Sequence, residues 1–166
     1  MSEPLILKEL SRYPLGTYAD IIYRNAILRP EDEAFVYGDQ RVTFARYNER
    51  INRLISGLRA LGVSGGDVVG ILSWNCLGYV DVYGAAMKGG YIASPYNPRL
   101  NRAELEYLIN YSEASTLFVG PELTETVEAL RPSLPNVEHY ISLEGPGEAG
   151  VSHEDLMEGH SAGEPP

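Results

Sequence analysis

The residues best suited to meet a ligand stand directly after two predicted strands, at residues 67–72 and 91–94. Both runs are apolar and are bounded by glycine or polar residues, as buried strands are. Ligands of doubly wound sheets bind outside the carboxyl ends of the strands. We therefore predict substrate-binding side chains at Trp74, Asn75, Tyr96 and Asn97. The alternative for these positions is structural, with Asn75 as a helix cap and Trp74 as a packing residue.

A Gly-x-Gly-x-x-Gly pattern at residues 145–150 follows another predicted strand. A dinucleotide fingerprint needs its last glycines inside the opening turn of a helix, whereas the helical signal here begins only at Ser152. The carboxylate of Glu148 would also repel a phosphate group. The pattern therefore predicts no nucleotide site.

The histidines and the cysteine form no constellation that is typical of catalysis or metal binding. His139 falls on a predicted strand as a half-exposed residue, and His153 with Glu154 is predicted to form the solvated start of a short helix. Cys76 lies near a helix N-terminus, where a thiol pKa can fall, but a buried structural thiol is the favoured interpretation. We predict no catalytic, cofactor-binding or metal-binding residue in the chain, including at His160.

Charge and composition exclude several classes of partner. The 166 residues carry a formal charge of −10, which disfavours nucleic acid and anionic membranes because both attract clustered Lys and Arg. The single cysteine cannot form an intrachain disulfide, as expected in a reducing cytoplasm. No run approaches the ~20 apolar residues that span a bilayer. We predict a cytoplasmic protein with no transmembrane segment and no nucleic-acid partner.

Apolar periodicity predicts an α/β fold, with a mostly parallel doubly wound sheet flanked by helices and a small β-hairpin near the N-terminus. The hairpin joins residues 33–37 to 41–43. The other predicted strands are 67–72, 91–94, 116–119 and 137–141, and the helices are 17–28, 44–61, 76–88, 101–112 and 121–131. In helix 76–88 the stripe predicted to face the sheet consists of Leu77, Val80, Tyr83 and Met87.

Three segments are predicted along the chain. Residues 1–16 have no clear period and form an arm, and residues 17–143 form the α/β domain. Residues 144–166 are rich in Gly, Pro, Glu and Ser and form a loop and linker with one short helical piece at 152–157.

The segment at residues 87–95, Met-Lys-Gly-Gly-Tyr-Ile-Ala-Ser-Pro, resembles the Leu-Lys-Ala-Gly-Ala/Gly-Tyr-x-x-x-Pro segment of the adenylate-forming, or AMP-binding, enzymes. This superfamily includes acyl-CoA synthetases, luciferases and the adenylation domains of peptide synthetases. Residues 42–44 resemble its Leu-Thr-Tyr segment, although Arg46 and Tyr47 replace the usual Glu and Leu. Residues 97–100, Asn-Pro-Arg-Leu, resemble a turn of its long-chain fatty-acid–CoA ligases. The similarity covers residues 17–119.

The resemblance implies an N-terminal fragment of an ATP-dependent, AMP-forming acyl-CoA synthetase, taken from the large N-terminal domain. The parent enzyme would use ATP, Mg²⁺ and CoA to convert a carboxylic acid, with a fatty acid favoured, into acyl-CoA, AMP and pyrophosphate. The family's phosphate loop, metal-binding carboxylate and mobile-domain lysine have no counterpart in these residues, and the phosphate loop would follow the linker. The fragment alone is therefore expected to be inactive.

Such a fragment should expose an apolar face, so we also expect self-association. Two other functions stay open from the sequence. One is a stand-alone flavodoxin-like domain that binds a small ligand, and the other is a non-catalytic interaction module.

Overall fold

The computed structural model describes residues 15–145 and 150–165. The chain divides into two compact units, Met1–Asn48 and Glu49–Pro166. Most of the predicted arm at residues 1–16, and four of the six positions in the glycine pattern at 145–150, lie outside the described residues.

The first unit contains helix α1 (Tyr18–Leu28) and an antiparallel hairpin of β1 (Glu33–Tyr37) and β2 (Gln40–Thr43). The carboxylate of Asp20 accepts hydrogen bonds from the backbone N–H groups of Gly16 at 2.8 Å and Thr17 at 2.7 Å, which would otherwise lack partners at the helix start. The hairpin turn contains Gly38, whose φ of 57° favours glycine. The predicted helix and hairpin are both confirmed.

Helix α2 (Phe44–Ala60) begins in the first unit and continues into the second. The remaining elements of the second unit are β3 (Val68–Leu72), α3 (Leu77–Gly89), β4 (Ile92–Tyr96), α4 (Arg102–Tyr111), β5 (Thr116–Val119), α5 (Thr124–Leu130), β6 (His139–Ser142), β7 (Val151–Ser152) and α6 (His153–Met157). Single 3₁₀ turns, Pro121–Leu123 and Arg131–Ser133, precede and follow α5.

The five strands of the second unit form a parallel sheet in the order β4-β3-β5-β6-β7. Leu72, at the end of β3, is in register with Tyr96 of β4 and with Val119 of β5. The carboxyl ends of these three strands therefore lie side by side. This topology confirms the predicted α/β class with a mostly parallel sheet.

Helices cover both faces of the sheet. Leu72, Leu117 and Val119 belong to one core cluster, which includes residues of α4 and α5, namely Leu105, Ile109, Val127 and Leu130. Because side chains alternate along a strand, Ile71 and Phe118 point to the opposite face. Both are fully buried there. The central strands are thus shielded from water on both sides, as parallel strands require.

The predicted stripe on α3 is wrong. Its Leu77, Val80 and Tyr83 are only half-buried, and Met87 is 46% exposed. The buried residues of this helix are instead Gly78, Asp81, Val82, Gly84, Ala85 and Ala86. Small side chains let the helix backbone approach its neighbours closely, so the face with the largest apolar residues is not the one that packs.

Residues 150–157 contain β7 and α6; the helix confirms the short helical piece predicted at 152–157, whereas β7 was not predicted. Strand β7 pairs with β6 through only two residues, and α6 packs against α2 at Gly57. The prediction that His153 lies at a solvated helix start is wrong, since this side chain is 1% exposed. The flanking Glu154 and Asp155 give the segment a polar pattern that hides the buried imidazole.

Gly70, in the middle of β3, lies beneath the ring of Tyr96. A Cβ at this position would stand 2.7 Å from Cε2 of Tyr96 and 3.0 Å from Cδ1 of Leu117. We predict that Gly70→Ala lowers the free energy of unfolding by about 1–3 kcal/mol, because the ring and the leucine must move in a packed core. Urea denaturation measures this change.

Gly65→Ala is the matched control, because its added Cβ would meet no atom closer than 3.8 Å. The free energy of unfolding of that variant should differ from that of the unchanged chain by about a few tenths of a kcal/mol, as expected for a surface substitution. Equal midpoints for the two variants would show that Tyr96 does not pack over β3 as described.

Candidate functional site

A cleft of about 460 Å³ opens at the carboxyl edge of β3 and β4. The residues that line it are Ser73, Trp74, Asn75, Tyr79, Pro95, Tyr96, Asn97 and Pro98. The structure thus brings together all four residues predicted from the strand ends. The prediction missed Tyr79, which reaches the cleft from the first turn of α3. Its position as the third residue of the helix that follows the strand end is the signal that could have found it.

Trp74 forms an exposed aromatic wall of the cleft. The guanidinium carbon of Arg99 lies 5.2 Å from the centre of the indole ring, within the range of a cation–π contact. This part of the cleft can therefore offer an aromatic face together with a nearby positive charge.

Asn97 shapes the loop that leaves β4. Its side-chain oxygen accepts a hydrogen bond from the backbone N–H of Arg99 at 3.0 Å, which closes a local Asx turn. The oxygen is thereby used within the loop. The side-chain NH₂ of Asn97 is the group that could donate to a ligand.

Tyr96 contributes to the cleft mainly through its shape, because its hydroxyl is held in the core. The hydroxyl lies 2.5 Å from Oγ of Ser112, and that Oγ donates to the carbonyl of Ile109 at 2.9 Å. Since the serine has one hydroxyl proton, the tyrosine must be the donor between the two side chains.

The structural alternative for Asn75 is wrong, because Cys76 is the N-cap of α3. The Sγ of Cys76 accepts a hydrogen bond from the backbone N–H of Tyr79 at 3.4 Å. Burial raises the pKa of the Cys76 thiol. These observations confirm the interpretation of Cys76 as a buried structural thiol, and they leave the exposed Asn75 side chain at the cleft.

Tyr79 stacks on Tyr83, with ring centres 5.3 Å apart. Burial and the hydrogen bond with Tyr83 raise the pKa of Tyr79 to about 12. The phenol is therefore protonated at neutral pH and can donate a hydrogen bond, but it is not a general base under these conditions.

Within residues 15–145 and 150–165, no three His, Cys, Asp or Glu side chains converge on a point where they could hold a metal ion. Among the helices of these residues, none has the length and apolar character that would let it cross a membrane.

Residues 22–163 match the family of AMP-binding enzymes. A long-chain-fatty-acid–CoA ligase from Thermus thermophilus is 36% identical over 118 residues, which are 70% of this chain and 22% of that protein. The chain therefore belongs to the AMP-binding enzyme family, and the relatives it matches include several acyl-CoA ligases. It spans about a fifth of the length of the Thermus thermophilus ligase and of two feruloyl-CoA synthases that it also matches.

Solved structures agree with this assignment. An anthranilate CoA ligase in complex with anthranoyl-AMP superposes with a TM-score of 0.84 at 30% identity, over 92% of this chain and 30% of that one. A long-chain-fatty-acid-CoA ligase from Archaeoglobus fulgidus gives a TM-score of 0.80 at 28% identity, over 91% of this chain and 31% of that one.

The hydrogen bond between Tyr96 and Ser112 makes a prediction about the stability of the cleft floor. Tyr96→Phe and Ser112→Ala should each lower the free energy of unfolding by about 1 kcal/mol, the usual net contribution of one hydrogen bond. The double variant should lose less than the sum of the two, since both remove the same interaction.

Urea denaturation of the four chains forms the double-mutant cycle. Tyr107→Phe serves as the control, because Tyr107 is exposed on α4 and its hydroxyl deletion should change little. Strictly additive losses for Tyr96 and Ser112 would mean that their contact adds nothing to stability.

Proposed function

We propose that this chain forms the first sheet of a cytoplasmic, ATP-dependent, AMP-forming acyl-CoA ligase. The enzyme converts a carboxylic acid, ATP and CoA into acyl-CoA, AMP and pyrophosphate. The observation that carries the proposal is the family match over residues 22–163. This match favours the ligase over a stand-alone flavodoxin-like binding domain or an interaction module.

A fatty acid is the proposed substrate class. Two of the similar proteins, from Thermus thermophilus and Archaeoglobus fulgidus, are named as long-chain-fatty-acid–CoA ligases. The chain is also similar to an anthranilate CoA ligase, so an aromatic acid is the substrate with which a fatty acid should be compared.

Residues 1–166 by themselves are proposed to be inactive. Attack of a carboxylate on the α-phosphate of ATP requires donors for the triphosphate and a divalent cation that neutralises the developing charge. The sequence contains no Ser/Thr/Gly-rich run that ends in Pro-Lys-Gly, which is the family feature expected to bind the triphosphate. ATP, Mg²⁺ and CoA are therefore assigned to the parent enzyme.

The cleft at the ends of β3 and β4 is proposed to contact the carboxylic acid. Trp74 and Pro95 supply apolar surface, while the amides of Asn75 and Asn97 can orient a polar group. Such a mixture of apolar walls and a few polar groups is typical of small-molecule sites. Its position at the carboxyl ends of parallel strands also supports the assignment.

ATP–pyrophosphate exchange tests the proposal on the protein as its gene encodes it, with fatty acids and anthranilate offered as substrates. We expect exchange that depends on a fatty acid, and none from the 166-residue chain. Trp74→Ala in the full gene product should raise the KM for the acid about tenfold, equivalent to about 1.4 kcal/mol of lost contact, with little change in kcat.

Tyr111→Ala is the control for Trp74→Ala, because it removes an exposed aromatic side chain that does not line the cleft. A gene product that gives no exchange with any acid would contradict the ligase assignment. A Trp74→Ala variant in which only the KM for CoA or ATP changes would contradict the contact with the acid while leaving the ligase assignment intact.

Self-association of the 166-residue chain is proposed to occur between two copies through strand β4. Among the described residues β4 pairs with β3 alone, so its outer edge offers free backbone groups. Ile92 on this edge is 53% exposed, and Met87 of the preceding helix is also exposed. An exposed edge with apolar side chains is a template for pairing with another chain.

Ile92→Lys should weaken this self-association, because a charged side chain on an edge strand opposes pairing. Sedimentation velocity at several concentrations in about 0.15 M salt, which screens the net negative charge, measures the effect. Val151→Lys is the control on the opposite edge strand, where Val151 is 47% exposed. Monomers at every concentration, or equal weakening by both substitutions, would exclude association through β4.

A further inference from the structure

Four ionisable side chains meet inside the second unit, away from the residues that line the cleft. Arg50 comes from α2, Asp81 from α3, and His153 and Glu154 from the start of α6. The guanidinium of Arg50 lies at the centre, with its Nη2 2.7 Å from Oδ2 of Asp81 and 2.6 Å from Oε1 of Glu154. These contacts join three helices that are distant in the sequence.

Arg50 compensates the buried charge of Asp81. Its Nε also donates to Oδ2 of Asp81, at 2.9 Å, so two donors of one guanidinium meet the same oxygen. Glu154 is largely exposed and completes the cluster at its solvent side. An isolated buried carboxylate would be costly, and the arginine is what makes its burial tolerable.

His153 is packed against this ion pair without a hydrogen bond of its own. Among the described residues neither ring nitrogen has a hydrogen-bond partner. Its Nε2 lies 3.5 Å from Oδ2 of Asp81 and its Nδ1 lies 3.8 Å from Oε1 of Glu154. Burial and the positive charge of Arg50 lower the pKa of His153 to about 4. The imidazole is therefore buried in its neutral form at pH 7.

We name residues 150–165 the strap, because they run from β7 through α6 and then along α2. Apart from the apolar side chains of α6, polar contacts hold the strap. Arg53 donates to the carbonyl of His160 at 2.7 Å, and Asn52 donates to the carbonyl of Ala162 at 2.9 Å. Lys88 forms an ion pair with Glu164 at 2.5 Å.

Strand pairing joins the strap to the sheet through two residue pairs, Ile141 with Val151 and Ser142 with Ser152. Segments with such short pairing open at a lower free energy than the central strands of a domain. The strap can therefore separate from the sheet while β3 and β5 remain folded.

We propose that the strap is a pH-sensitive latch, closed while the buried His153 is neutral and released when mild acid protonates this imidazole beside Arg50. The groups that face His153 are Arg50 on α2, Asp81 on α3 and Glu154 on α6, whereas the sheet contributes the uncharged ring of Phe118. The carboxylates of Asp81 and Glu154 are the groups that could stabilise an imidazolium, but both are already bound by Arg50. This proposal goes beyond the ligase function and does not depend on it.

The direction of the pH effect follows from the proton affinities of the closed and open forms. In the open strap His153 is hydrated and has its ordinary pKa of 6.5, whereas in the closed strap that pKa is lowered to about 4. Between these two values the open form binds a proton that the closed form does not. Opening is therefore resisted fully above pH 6.5 and becomes easier as the pH falls toward 4.

Release of the latch would affect the cleft through α3. A Cβ on Gly78 would lie 3.6 Å from Nδ1 of His153, so the imidazole packs against the first turn of this helix. The next residue, Tyr79, lines the cleft. If the imidazole leaves this position, the first turn of α3 loses a packing contact, and this turn positions Tyr79 in the cleft.

Hydrogen exchange followed by mass spectrometry tests the latch in the 166-residue chain between pH 8 and pH 5. After correction for the intrinsic exchange rate, the opening constant of residues 151–157 should rise about 30-fold, the value expected for one histidine of pKa 6.5 that is protonated only in the open form. Amides of β3 and β5 should keep their protection over the same range.

The chain offers matched controls, since it contains only three histidines. His153→Leu should remove the pH dependence, whereas His139→Gln and His160→Gln should retain it. Gly57→Ala should open the strap at pH 8, because its Cβ would stand 2.3 Å from the carbonyl oxygen of Leu156 and displace α6 without any proton.

Three results would overturn the latch. They are a strap whose exchange does not change with pH, a pH dependence that survives His153→Leu, and an opening in which β3 and β5 exchange together with the strap. If His153→Leu does not fold, NMR titration of the imidazole C2–H in the unchanged chain decides the question. A C2–H signal that titrates near pH 6.5 while the strap stays protected would also exclude the mechanism.

Discussion

The burial of β3 from Val69 to Leu72 is the constraint on which the second unit depends. This strand pairs with β4 on one side and β5 on the other, and its Ile71 and Leu72 are fully shielded from water. A strand with no exposed face and no free edge cannot present a side chain to a ligand along its length. Polar groups can emerge only where the strand ends, which is why the cleft lies after Leu72 and Tyr96 and not across the sheet.

The same burial decides how the helices pack. Tyr96 covers Gly70 on one face of the sheet, and its hydroxyl forms a hydrogen bond with Ser112. This polar aromatic residue can therefore be buried in the core. On α3 the small residues allow close packing, which places Asp81 inside. That carboxylate must then be paired, and Arg50 meets the requirement from α2. Such a pair adds little net stability compared with apolar residues of similar volume, but it specifies which helices meet.

The strands and the cleft could be located from the sequence because both follow from short local patterns along the chain. Apolar runs bounded by glycine or polar residues predicted β3 and β5, and the strand-end rule then placed Trp74 and Asn97 together. The buried face of α3 was not predictable from periodicity, since Gly78 and Ala85 give weak hydrophobic signals and Asp81 gives the opposite one. Strand β7 was missed because two residues are too few to show alternation.

The buried position of His153 could not be predicted from the sequence. Its neighbours Glu154 and Asp155 predict a solvated helix start, and the turn is capped by Ser152, whose Oγ accepts a hydrogen bond from the backbone N–H of Asp155 at 3.0 Å. The imidazole nevertheless points inward, where Gly78 leaves space for it and Arg50 already neutralises Asp81. Because Gly78 and Tyr79 are consecutive on α3, the buried cluster and the cleft share one helical turn. Two features with unrelated sequence signals thus meet on a single helical turn, in a way that no local pattern encodes.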